Sequence, residues 1–266
     1  MPIVCSHRLV DFGLVASLRW RVHRVSPAAC GLHCGQPVRS KGGPVQTSRP
    51  WRPCTSDVSS SKLTRVENGS GSADEPEYLR LSLREFLNLF ATADPAPAGG
   101  SAAALAVSLA AGLCAKAARL SRRQLPDAAE LAAVAEALRD RAASLSQADA
   151  AGYGRVISAQ RSSRGLDPFD RRRRIDAALL EAAETPTEIA ELGAKVGDLA
   201  AHVAEDGNPN LLGDVVTAAL LAEAGVASAS ALVMINLEGM TGDARLARVS
   251  VAVARSTSSA ARARRS

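Results

Sequence analysis

The sequence predicts an all-α protein, a bundle of six to seven helices with no sheet, and three observations predict it. Alanine dominates an apolar fraction of 47%, while aromatic residues make up only 3% of the 266 residues. Alanine loses no side-chain entropy in a helix and fills little of a pleated surface, so it favours helix over strand. Apolar residues then recur with helical period from residue 79 onward. The breaks between these stretches carry helix starts and stops and not hairpin turns.

Residues 1–77 have a different texture. Both tryptophans, Trp20 and Trp51, fall here among scattered Gly, Pro, Ser and Arg, and Asn68-Gly69-Ser70-Gly71-Ser72 reads as linker. The expectation is a mostly disordered extension. Ser82 followed by Glu85 makes a capping box, and Leu83, Phe86, Leu87 and Phe90 place one apolar face on the first helix. Asp94-Pro95-Ala96-Pro97 stops it. A nearly all-apolar helix follows from Ser101 to about Ser121, and Leu125-Pro126-Asp127 opens a long amphipathic one through Leu131, Val134, Leu138 and Leu145.

Arg161 to Asp170, with Gly165 and Pro168, reads as a loop before a short helix from Arg171 to Glu184. Thr185-Pro186-Thr187-Glu188 starts the next helix with proline in its first turn, and Gly207 is the expected left-handed cap at its end. Asn208-Pro209-Asn210 begins a last apolar helix to about Asn236. The expected helical domain is 78–245, with 246–266 a basic helix end or tail. So much apolar surface on the 101–121 and 211–236 helices points to burial in a symmetric homodimer.

The net charge of +5 is uneven. Residues 1–77 hold ten Lys/Arg against six Asp/Glu, and from Arg245 onward six arginines meet no acid, leaving 16 against 21 between. Such ends could touch nucleic acid, but no aromatic residue or nucleic-acid motif accompanies them, so a solvated terminus is the expectation. Cys30-Gly31-Leu32-His33-Cys34 lacks a second ligand pair at finger-like spacing, and Cys114 suits a small buried thiol. No ligand cluster implies a metal. No N-terminal apolar run resembles a signal peptide and none reads as a membrane span, so a cytoplasmic protein is expected.

Several residues could carry chemistry. Gly99-Gly100-Ser101 follows a proline and opens a helix, where free backbone N–H groups and the dipole favour an anionic group; the plainer reading is a permissive turn. Asp149 stands among Ala148, Ala150 and Ala151 with Tyr153 one turn on, and a carboxylate on a packed face needs a partner or a role. An exposed stripe would account for it equally. Asn208, Asn210 and Asp214 cluster at a helix start, where capping explains them. Asn236 interrupts Met234-Ile235-Asn236-Leu237, and an amide there must find hydrogen bonds. His202 stands alone.

Pro97-Ala98-Gly99-Gly100-Ser101-Ala102-Ala103-Ala104, then Asp149-Ala150-Ala151-Gly152-Tyr153, Gly207-Asn208-Pro209-Asn210 with Asp214, and Ile235-Asn236-Leu237 resemble, in order and spacing, the C-terminal formiminotransferase-cyclodeaminase family. That family includes methenyltetrahydrofolate cyclohydrolases, and the resemblance covers roughly 79–245. Ala98 and Gly213 replace a glycine and a serine of its pattern, Leu232 an asparagine, and Ser162-Ser163-Arg164 stands where Leu-Pro-Lys is expected. The resemblance implies a metal-free, all-helical dimer or larger assembly acting at the N5/N10 one-carbon bridge of tetrahydrofolate. It implies Asp149 as the acid/base or cation-stabilising carboxylate, with Asp214 second. Gly99, Gly100 and Ser101 would hold an anionic or carbonyl part of the substrate, and Tyr153, Asn208, Asn210 and Asn236 would line or orient it. The alternative is a non-catalytic helical dimer that binds folate or a protein partner.

Overall fold

The computed structural model describes residues 77–266, which form seven α-helices and two single turns of 3-10 helix. The helices are α1 Leu83–Phe90, α2 Gly99–Leu120, α3 Ala128–Ser162, α4 Pro168–Ala182, α5 Glu184–Asp206, α6 Leu212–Asn236 and α7 Ala244–Ala263. No strand occurs among the described residues, as composition predicts. The extension at 1–77, its four cysteines and His33 lie outside the described residues, except for Glu77.

α2, α5 and α6 form the centre. α2 and α6 run antiparallel: a Cβ on Gly99 would stand 4.0 Å from Leu232 at one end, and Lys116 pairs with Asp214 at 2.8 Å at the other. The core between them is built of alanine with a few valines, and this lets the backbones approach closely. A Cβ on Gly225 would stand 2.7 Å from Val107 Cγ2 and 3.1 Å from the Ala103 carbonyl oxygen, so glycine sets the spacing at that crossing. By length and composition α2 and α6 would each suffice to cross a bilayer. Here α2 is a central helix of the bundle, packed on α3, α5 and α6.

The capping box at α1 is present: Ser82 Oγ accepts the Glu85 N–H (3.3 Å) while Glu85 Oε2 accepts the Ser82 N–H (2.8 Å). Tyr78, Phe86 and Phe90 stack edge-to-face beside it as a small aromatic satellite of an alanine core.

Three expectations need correction. The loop expected at 161–170 is shorter, because α3 continues to Ser162 and α4 begins at Pro168. Pro168 is the first residue of a helix whose cap is Asp167, which accepts the N–H groups of Phe169 (3.0 Å) and Asp170 (3.2 Å). Gly207 is not left-handed; its φ is −85°. It is needed for space instead, since a Cβ there would lie 2.3 Å from the Val203 carbonyl oxygen.

The basic terminus, expected to be solvated, is the packed helix α7, which runs parallel to α5. Arg248, Arg255 and Arg262 pair with Glu191, Asp198 and Glu205, each arginine 57 residues beyond its acid. Both sets repeat every seven residues, which keeps each on one side of its helix. The arginines that looked unbalanced along the sequence are balanced across the fold.

Candidate active site

The Asp149 pocket forms where the start of α2, the second half of α3, the end of α4 and the end of α6 meet. Ala98, Gly99 and Gly100 come from the first, Asp149, Tyr153 and Val156 from the second, Leu179 and Ala182 from the third, and Leu232, Ile235 and Asn236 from the fourth. The cavity measures about 270 Å3. Wider concavities lie elsewhere, about 490 Å3 between α5 and α7 and about 710 Å3 beside the α2–α3 turn. Among the described residues Asp149 is the one carboxylate whose pKa is pushed upward, so chemistry and not size selects its pocket.

Burial pushes the Asp149 carboxyl up to about 6, against the opposing effect of the Ser101 backbone N–H directed at it. The carboxylate rests against the first turn of α2. A Cβ on Gly100 would lie 2.0 Å from Oδ1, 2.2 Å from Cγ and 2.3 Å from Oδ2. α2 has no side-chain cap of its own, because Ala98 occupies the N-cap position. Asp149, reaching across from α3, supplies the anion that the helix start favours. The expectation that this start holds an anionic part of a ligand is therefore revised: Asp149 already occupies it.

Neighbouring contacts fix the geometry. Buried Ser101 donates its hydroxyl to the Ser146 carbonyl oxygen at 2.8 Å and so clamps α2 to α3 one turn before Asp149. Tyr153, 44% exposed, stands at the rim. The Asn236 amide makes no hydrogen bond among the described residues. Leu232 lies over Gly99 and closes that side of the pocket with a branched alkyl wall. Ala98 has φ −133°, a conformation open to any residue, and an alanine there costs the backbone nothing.

The structure thus joins Gly99, Gly100, Ser101, Asp149, Tyr153 and Asn236, but not Asn208, Asn210 or Asp214. These three sit at the opposite end of the α2–α6 pair. Asn208 Oδ1 accepts the Asn210 N–H at 3.1 Å, and Asp214 pairs with Lys116. A linear order of motifs carries no sign of which end of an antiparallel pair each will reach, and that separation was hidden in the sequence. Sequence reasoning also missed Leu179 and Ala182, small and apolar residues of α4 with no motif to mark them.

The sequence model of the formiminotransferase-cyclodeaminase family matches residues 82–255. A methenyltetrahydrofolate cyclohydrolase of Methylorubrum extorquens is 30% identical over 167 residues, 60% of this chain and 80% of that protein. The formimidoyltransferase-cyclodeaminase of Rattus norvegicus is also 30% identical, over 65% of this chain but only 33% of its own length. The crystal structure of formiminotetrahydrofolate cyclodeaminase from Thermotoga maritima superposes with a TM-score of 0.64 at 25% identity, covering 71% of this chain and 96% of that one.

Proposed function

From the premise that this chain belongs to the formiminotransferase-cyclodeaminase family, we propose that it acts on the N5/N10 one-carbon bridge of a tetrahydrofolate, with Asp149 as its acid/base. It would hydrolyse the methenyl bridge or close the formimino group with loss of ammonia. The observation that carries this reading is a carboxyl group of pKa about 6, seated on a helix start inside an otherwise uncharged pocket.

In the hydrolytic direction the ionised Asp149 takes a proton from water as its oxygen bonds to the methenyl carbon. The tetrahedral carbon, which now bears a hydroxyl, then releases one bridge nitrogen, which takes the proton back from Asp149. The hydroxyl gives up its own proton to solvent and leaves a formyl group on the other nitrogen. In the deaminating direction a bridge nitrogen bonds to the formimino carbon and its proton passes through Asp149 to the departing ammonia. Both routes place positive charge beside a carboxylate in a poorly solvated site, where opposite charges attract strongly. Asn236, whose amide makes no hydrogen bond among the described residues, would orient the ring system.

The cavity falls below the roughly 300–1,000 Å3 typical of small-molecule sites, so it would hold part of a folate. We place the remainder against a second copy of the chain. The exposed side of α6 (Thr217, Leu220, Ala224, Ala227 and Ile235) carries no charge, and Leu109 of α2 is exposed as well. An uncharged face of this extent favours a symmetric dimer.

The test is an absorbance assay of the full chain with methenyltetrahydrofolate and, separately, formiminotetrahydrofolate. Loss or gain of the methenyl band above the uncatalysed rate, abolished by Asp149→Asn, is expected. The apolar Leu232 wall favours a second reading, folate binding without turnover. Binding with an unchanged methenyl band would establish it.

A further inference from the structure

α4 forms one wall of the Asp149 pocket through Leu179 and Ala182, yet its own side chains anchor it poorly. It has no fully buried residue, whereas each of the other six α-helices has at least one. Phe169 in its first turn is 75% exposed, and of its apolar residues Leu180 alone packs against the main core. Asp176 also works against close packing. Arg172 binds its Oδ2 at 2.8 Å, but its Oδ1 is buried with no hydrogen-bond partner among the described residues. Apolar burial alone therefore does not explain why the end of α4 lies against the pocket.

A side chain from α7 holds it there. Arg245, 15% exposed, meets Asp243 with two donors, Nε to Oδ1 at 2.8 Å and Nη2 to Oδ2 at 2.6 Å. Its third nitrogen, Nη1, donates to the Leu180 carbonyl oxygen. That carbonyl belongs to the last turn of α4, where the helix runs out of N–H donors. Asp243 is itself fixed as the N-cap of α7, accepting the Arg245 N–H at 2.9 Å. One rigid guanidinium thus links the start of α7 to the end of α4. Its hydrogen bond holds the Asp243 carboxyl down at about 2, so the link stays charged at neutral pH and well below it.

The end of α4 in turn bears on Asp149. A Cβ on Gly152 would stand 3.8 Å from Ala182 Cα, so Ala182 lies against α3 one turn beyond the carboxylate. We propose that Arg245 is a positioning residue for the Asp149 site: by gripping the last turn of α4 it keeps the Leu179–Ala182 wall in place and water away from the carboxylate. Without that wall Asp149 is hydrated, and hydration returns a carboxyl group toward its ordinary acidity. Asp243, Glu184 and Arg248 are the charged groups around Arg245, and Tyr153 is the other titratable residue lining the pocket. Loss of Arg245 as a cation would raise the Asp149 pKa, whereas loss of the wall lowers it. The sign separates the two effects.

The test titrates Asp149 in the full chain by carboxyl 13C NMR, its signal identified by its loss in Asp149→Asn, and follows α4 by amide hydrogen exchange. In Arg245→Gln the Asp149 pKa should fall from about 6 toward the ordinary 3.8. Amides of 168–182 should exchange about tenfold faster or more, while those of α2 and α6 keep their rates. Arg245→Lys, which keeps the charge, should do the same, because one ammonium cannot span the carboxylate and the carbonyl. Arg248→Ala, which removes an exposed neighbour on α7, should leave both readouts unmoved. A disulfide should replace the grip, since a Cβ on Gly152 would lie 4.0 Å from Ala182 Cβ, within the roughly 3.5–4.5 Å of natural bridges. Gly152→Cys/Ala182→Cys in the Arg245→Gln chain should return the pKa to about 6 when oxidised and not when reduced. An Asp149 pKa that stays or rises in the Arg245 variants overturns the proposal, as does a bridged chain without recovery. Exchange quickened equally in α2 and α6 overturns it too, since Arg245 would then merely stabilise the bundle. Only the bearing on turnover rests on the function proposed above: there the acid limb of the rate profile should move with the titration. Neither measurement needs turnover, so the same results in a protein inactive on folates would sink that function and leave the role of Arg245 standing.

Discussion

The Asp149 carboxylate lies flat against Gly100, so close that a Cβ on that residue would stand 2.0 Å from Oδ1. The absent side chain lets a carboxylate from α3 serve as the anion at the start of α2, where Ala98 cannot. Gly100→Ala should therefore act on the site and not on the helix, since alanine is the better helix former. Asp149 would be displaced by an ångström or more, and about a 100-fold loss of turnover is expected. Near-wild-type rates in a folded Gly100→Ala protein would refute this seating of Asp149.

The same carboxylate makes stability depend on pH. Its folded pKa, about 6, lies above the ordinary 3.8, so the folded state binds the proton more tightly than the unfolded chain. The folded state is favoured at low pH and loses up to about 3 kcal/mol as pH rises from about 4 to about 6. Asp149→Asn should thus raise Tm at pH 7.5, with a gain that shrinks toward pH 4, while abolishing turnover. Turnover by the natural protein should rise with pH through about 6 as the base ionises. Thermal melts and rate profiles over that range check both signs; a Tm gain independent of pH would contradict them.

How far the sequence spoke for itself varies by element. Helices with a boundary signal could be read, as at Ser82–Glu85 and Asn208–Pro209. The Asp167–Pro168 start reads as loop in the sequence, because proline marks a helix start and a break alike until the cap is seen. Asp149 and Gly100 could each be picked out as unusual, yet their contact is long-range and left no local trace. α7 was hardest. Its arginines have their acids 57 residues away on α5, and a charge run looks solvated until the partner helix is known.

Leu232 makes one departure from the family pattern testable. It lies at the pocket wall beside Gly99, where the resemblance implies an asparagine. Leu232→Asn would add a donor and an acceptor within reach of the substrate. About a tenfold gain in kcat/KM is expected, the worth of one hydrogen bond to a charged group. A decrease, measured with methenyltetrahydrofolate, would mean that the alkyl wall itself is used for binding.

The α5–α7 ladder should behave as a network of surface pairs. Each member is well exposed and screened by water, so Arg248→Ala or Arg262→Ala alone should leave Tm almost unchanged. Arg255→Ala should cost more than either, because it strips one partner from Asp198, which also accepts the Ser259 hydroxyl at 2.6 Å. Reversing all three arginines to glutamate sets like charges at every rung and should lower Tm by several degrees. Denaturation midpoints of the reversed protein, alone and with Glu191, Asp198 and Glu205 changed to lysine, separate pairing from packing. Only pairing predicts rescue.

The uncharged face of α6 gives the last prediction. Ala224 is exposed in the single chain, flanked one turn away on either side by Leu220 and Ala227. In a monomer, Ala224→Glu would put a charge into water at almost no cost to stability. In the proposed dimer it would bury that charge, and an unpaired charge at an interface costs several kcal/mol. The natural protein should therefore sediment as a dimer, with a Tm that rises with concentration, and Ala224→Glu as a monomer with unchanged helix content. If part of the site comes from the second copy, turnover should fall with the mass although Ala224 lines no part of the Asp149 pocket. A natural protein that sediments as a monomer at micromolar concentration would exclude the dimer. A monomeric Ala224→Glu with full turnover would show that the Asp149 pocket is complete in one chain.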